Sequence, residues 1–191
     1  RVNVQVEAGL KGGDGSAPKR RAVFKDTAYW KAVVETDKNG EATVKFKLPD
    51  NLTTWEVLAI GVTDDTLVGS KKVDFTVTKD VLLRPVLPRF LITNDVMRGG
   101  MIVHNYMDKA TTFNGSLEAE GVEIHSVGIF GGQSVAGAKN IDITLQPGEE
   151  KKIEWEMKIL DAPKAAFHFT VTAKDNAAAS DGMDVTLPIH P

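Results

Sequence analysis

Apolar residues return at every second position in run after run of this chain. Val2-Val4-Val6-Ala8 do so in "RVNVQVEA", and Ala42-Val44-Phe46-Leu48 in "ATVKFKL". A period of two sets one face of a strand on a core and leaves the other, here Lys45 and Lys47, to water. A helix would need apolar residues at i, i+3, i+4 and i+7 over a useful length, and no stretch has them. The Ala-rich "DNAAAS" (175–180) is read as a loop. The expected fold class is therefore all-β.

Turn residues divide the runs. "KAVVETD" (31–37) and "EATVKFKLP" (41–49) are predicted to form a hairpin around Asp37-Lys38-Asn39-Gly40, whose Asn-Gly corner supplies positive φ angles. "EVLAIGVT" (56–63) and "SKKVDFTVT" (70–78) form a second. Further strands are predicted at 81–88, 101–107, 111–121, 122–127, 140–146, 150–159, 165–175 and 182–190, at sandwich-like spacing. The reading is two tandem β-sandwich domains, 1–78 and 79–191, with a boundary near Thr78-Lys79-Asp80. "GLKGGDGSAPKRR" (9–21) mixes Gly, Ser and Pro with basic residues and is expected to be an exposed, mobile loop.

The 191 residues, 42% of them hydrophobic, are enough to bury a core, and a net charge of −3 gives no basic field for nucleic acid. The chain has no cysteine, which excludes disulfides, thiolate metal sites and thiol nucleophiles. His104 and His168 alternate with apolar neighbours on strands, and no spacing typical of a metal site occurs. No serine sits in Gly-x-Ser-x-Gly, and "GIFGGQSVAG" (128–137) is a hairpin tip without a phosphate-loop pattern. No catalytic residue, metal or cofactor is expected, and the chain is not read as an enzyme. No apolar run approaches the roughly 20 residues of a membrane helix. The start at "RVNVQVEAGL", without Met or leader, points to a removed leader or to a piece of a longer protein.

Four features in order carry a family resemblance: Asp26-Thr27-Ala28-Tyr29-Trp30, Thr-Asp-x-x-Gly at 36–40, Leu-Pro-Asp-x-Leu-Thr-x-Trp at 48–55, and Pro-x-Phe-Leu-x-x-x-Asp at 88–95. Over residues 20–107 the chain resembles the alpha-2-macroglobulin family of protease-trapping proteins, and its lack of cysteine makes it resemble the bacterial members. The resemblance implies fibronectin-like macroglobulin domains, with Tyr29, Trp30, Asp37, Gly40, Pro49, Asp50, Thr54 and Trp55 as structural motif residues. It implies a bait region shortly before the aromatic pair, where 9–21 offers Lys11, Lys19, Arg20 and Arg21 as cleavable positions. The first domain would be incomplete at its N-terminal side. It further implies proteases as targets, neighbouring macroglobulin and thioester-type domains as partners, and a periplasmic or envelope location, with lipid anchoring through a missing N-terminus. The Cys-x-Glu-Gln thioester of the family cannot occur in this chain and in relatives lies C-terminal to such domains. The competing reading is a fibronectin-like adhesion or carbohydrate-binding module pair, recognising ligands through exposed aromatics or sheet edges.

Overall fold

The computed structural model describes residues 2–7, as backbone, and residues 20–191. Most of the predicted loop 9–21, with Lys11 and Lys19, therefore lies outside the described residues. The described residues form strands and connections without a helix. They divide into two units, one made of Val23–Thr78 with the first strand, the other of Lys79–Pro191 with residues 20–22. Residues 20–22 thus belong to the second unit, although in sequence they lie between the first strand and Val23, both of the first unit.

The first unit contains β1 (Val2–Glu7), β2 (Ala42–Lys47), β3 (Thr54–Val62) and β4 (Val68–Thr76). β1 and β2 pair in parallel from Val2↔Ala42 to Glu7↔Lys47. This differs from the predicted hairpin of 31–37 with 41–49. The turn forms, with Gly40 at φ 75°, but residues 31–37 are not a strand. The reason is local: the Asp37 carboxylate accepts the N–H groups of Asn39 (2.8 Å) and Glu41 (2.9 Å), closing the corner by a side chain, and β1 pairs with the strand that follows. β3 and β4 form an antiparallel ribbon running from Thr54↔Thr76 to Val62↔Val68. Trp55, Val57 and Ala59 on one face are half-buried, while Leu58, Ile60 and Val62 on the other are exposed. The ribbon is apolar on both faces.

The second unit holds β5 (Val81–Val86), β6 (Leu91–Ile92), β7 (Val96–Asn105), β8 (Thr111–Glu120), β9 (Val122–Ile129), β10 (Ser134–Ala136), β11 (Asn140–Leu145), β12 (Glu150–Ile159), β13 (Lys164–Ala173) and β14 (Ser180–His190). One five-stranded sheet has the order β10-β9-β12-β7-β5, the other β11-β8-β13-β14-β6. Ile153, Trp155, Met157 and Ile159 alternate inward from β12, and Phe167, Phe169 and Val171 from β13, into one shared core. Trp155 meets Phe169 edge-on at 5.8 Å, and its Nε1 donates to the Lys139 carbonyl at 3.0 Å, so the largest core side chain is apolar in contact and satisfied at its polar end. β7 begins earlier than its sequence suggests, through Gly99-Gly100. A side chain at residue 100 would run into the backbone of Ile153 and Glu154 on β12, so glycine here permits close pairing and is no break.

Candidate functional site

The described residues of the predicted cleavage segment 9–21 are Arg20 and Arg21, and the fold holds both on β14. Arg21 N–H donates to the Gly182 carbonyl at 2.6 Å, and Asp184 N–H donates to the Arg21 carbonyl at 3.2 Å, making a parallel bridge opposite Met183. The guanidinium turns inward. Its Nε and Nη2 donate to the two carboxylate oxygens of Asp181 at 2.9 and 2.8 Å, and Nη2 also donates to the Leu83 carbonyl at 2.8 Å. Asp181 is fully buried; it also receives Lys79 Nζ at 3.2 Å and the Leu83 N–H at 3.0 Å.

The chemistry follows from sheet geometry. β5 ends its sheet, so the outward N–H and C=O of Leu83 have no strand to pair with, and Leu83 is completely buried. The Asp181 carboxylate takes the N–H and the Arg21 guanidinium supplies the C=O with a donor, so an ion pair occupies the place of a neighbouring strand. Arg20 stays half-exposed, its Nε 3.0 Å from Asp184 Oδ1, the same oxygen that meets His168 Nδ1 at 2.8 Å.

Arg21, expected from the sequence as a cleavable position, lies against β14 in the folded chain. Its side chain is 7% exposed and its backbone is bridged to β14. The Arg20 side chain is 37% exposed. Sequence reasoning missed Asp181, Gly182, Lys79 and Leu83. "ASDGMD" reads as a turn leading into a strand, and nothing in its composition marks Asp181 as a buried anion.

The motif residues of the first unit hold the chain just beyond. The Asp50 N–H donates to the Val23 carbonyl at 2.7 Å and its carboxylate accepts the Val23 N–H at 3.0 Å, while Asn51 Oδ1 accepts the Lys25 N–H at 3.0 Å. The break at Pro49-Asp50 therefore ends β2 and turns polar groups onto residues 23–25. Pro49 and Asp50 are buried. Tyr29 stacks on Phe46 at 5.0 Å, whereas Trp30 is 82% exposed. Thr54 and Thr76 share a hydroxyl hydrogen bond of 2.8 Å across the ribbon. Trp55 is half-buried, and its Nε1 is buried with no partner among the described residues.

The backbone N–H groups of Glu41 and Asn39 hold the Asp37 carboxyl below its ordinary value of 3.8. The native group is the stronger acid, so what it contributes to the turn is present above pH 3.8 and lost as pH falls through the lower folded value. In an NMR titration the Asp37 carboxyl should show a midpoint below 3.8, and the Asn39 and Glu41 amides should move with it. Asp37→Asn should abolish that movement, and a midpoint at or above the ordinary value would show the turn bonds to be absent in solution.

The alpha-2-macroglobulin family model matches residues 27–117, which contain the aromatic pair, the Asp37 turn and the Pro49–Trp55 motif. Over residues 27–117 the chain is similar to the alpha-2-macroglobulin family. An alpha-2-macroglobulin homolog from Nostoc is 36% identical over 107 residues, covering 56% of this chain and 6% of the relative. The alpha-2-macroglobulin of Thermotoga maritima is 26% identical over 172 residues, 89% of this chain and 10% of that protein. Among solved structures, Escherichia coli alpha-2-macroglobulin activated by porcine elastase aligns with a TM-score of 0.62 at 22% identity, over 95% of this chain and 16% of that one. The chain thus spans a tenth or less of these two curated family relatives, and the structural likeness supports the all-β macroglobulin fold.

Proposed function

We propose that this chain is non-catalytic scaffold from a bacterial protease-trapping protein, in which residues 9–19, with Lys11 and Lys19, serve as a segment for proteases to cut. Neighbouring macroglobulin and thioester-type domains of the longer protein are its partners, and the periplasm or cell envelope is its location. The observation that carries this reading is the fastening of the chain directly after residue 19. Arg20 and Arg21 are bonded to β14, and Val23 and Lys25 to Asp50 and Asn51. A segment with a fixed downstream end acts as a tether, so that cutting it releases whatever it restrained. The elastase-activated relative supports proteases as the trigger.

Limited proteolysis of the folded chain with trypsin and, separately, elastase, with mass mapping of the first cuts, tests this. Both enzymes should cut first within 9–19. Resistance there, or first cuts at 128–137, would leave the chain as plain scaffold. Localisation is tested by fractionating cells that express the longer protein, where recovery in the cytoplasm would overturn the envelope assignment.

A further inference from the structure

The outer edge of β14 pairs with β6 only at Ile189 and His190, which leaves its earlier half open as an edge. Arg21 alone occupies that half among the described residues, as a parallel bridge opposite Met183. Two features of β14 suit this one added residue. At Gly182 a Cβ would lie 2.7 Å from Arg20 Cγ and 3.2 Å from Arg20 Cα, so a side chain there would push the segment off the edge. At Asp181 a buried carboxylate takes two of its charged contacts from the Arg21 guanidinium, and without them it would be a buried anion with Lys79 and one backbone N–H for company.

We propose that Asp181 and Gly182 form a latch that seats residues 20–22 on the β14 edge and withholds the Arg20–Arg21 and Arg21–Ala22 bonds from proteases. Cleavage upstream then stops short of residue 20, and the chain from Arg21 onward stays anchored to the second unit. A protease reads a substrate as an extended strand, through backbone hydrogen bonds on one edge and a side chain in its specificity pocket. At Arg21 the backbone N–H and C=O are engaged by β14, and the guanidinium by Asp181 and Leu83. Cutting there requires the latch to open first, so its rate is reduced by the fraction of time the latch is open. This goes beyond the protease-trap reading and does not depend on it, because it rests on the geometry of the second unit alone.

The test compares trypsin cleavage of the folded 191-residue chain with that of a synthetic peptide of residues 15–27, which has no β14 to dock on. Bond-by-bond rates are read by mass spectrometry, with amide exchange at residue 21, Asp184, β12 and β13 measured in parallel. Cuts after Arg20 and Arg21 should be slower in the folded chain than in the peptide by at least about tenfold. The amides of Arg21 and Asp184 should be protected together. Gly182→Val should raise both cleavage rates towards those of the peptide and remove that protection, while β12 and β13 stay protected. Should Gly182→Val fail to fold, Arg21→Gln decides, because it removes the bidentate pair without adding bulk and should speed exchange at residue 21 and Asp184. Equal cleavage in chain and peptide, unprotected Arg21 and Asp184 amides, or variants without effect on either readout would overturn the latch. Failure of the protease-trap reading shows separately, as an uncut 9–19, and leaves these ratios intact.

Discussion

Asp181→Ala is expected to lower the unfolding free energy of the second unit by about 3–5 kcal/mol, the cost of removing one partner from a buried ion pair. The change removes the carboxylate partner of the Arg21 guanidinium and the acceptor of the Leu83 N–H, inside a site where Asp181 and Leu83 have no solvent exposure. Swapping both members of a buried pair for apolar residues is often neutral or stabilising. Here it should not be. The pair stands in for a strand along β5, so Arg21→Met with Asp181→Leu still leaves the Leu83 N–H and C=O without these partners, at about 1–3 kcal/mol for each unsatisfied group. Denaturation followed by amide exchange in β12 and β13 reports the second unit alone and measures both variants. A double variant as stable as the parent chain would show that the pair does not cap the β5 edge.

Trp155→Ala should cost a similar amount, about 3–5 kcal/mol, for a different reason. The indole is fully buried between the sheets, edge-on to Phe169, so truncation opens a cavity that strand backbones cannot collapse to fill. Trp155→Phe separates the contributions. It keeps most of the ring volume but removes one of two donors to the Lys139 carbonyl, which the Leu117 N–H still meets at 3.1 Å, and should cost about 0.5–1.5 kcal/mol. If both variants were equally destabilised, the hydrogen bond rather than the cavity would be the larger effect.

Alternation made most of the second unit legible. On β12 and β13 the inward residues Ile153, Trp155, Phe167 and Phe169 recur at the period expected of a strand with one buried face, and the strands at 140–146 and 150–159 fall within a residue of those found. What escaped depends on partners distant in sequence. Gly99-Gly100 looks like a stop, yet it is a place where two backbones approach, and only the identity of β12 as neighbour reveals that. The run 31–37 looks like a strand, but the Asp37 carboxylate satisfies the adjoining turn and β2 takes its partner from the far N-terminal side. The latch was hidden for the same reason, since Arg21 and Asp181 are 160 residues apart and each alone resembles an ordinary surface charge. The motif around Pro49 was legible as a break in the ladder; its hold on residues 23–25 was not, because hydrogen bonds from Asp50 and Asn51 leave no periodic trace.

The β3–β4 ribbon has a consequence for the chain in a tube. Among the described residues both of its strands are edges, and Leu58, Ile60 and Val62 lie open beside them. Free N–H and C=O groups next to exposed aliphatics form a template for another copy of the same ribbon, the arrangement from which edge-to-edge self-association begins. Lys71, Lys72 and Asp74 on β4 and Glu56 on β3 are charges that resist such stacking, with Lys72 already paired diagonally to Glu56 at 3.0 Å. Colloidal stability of the isolated chain therefore hangs on a few charges of one hairpin, and preparations should cloud first under salt or pH conditions that screen or neutralise them.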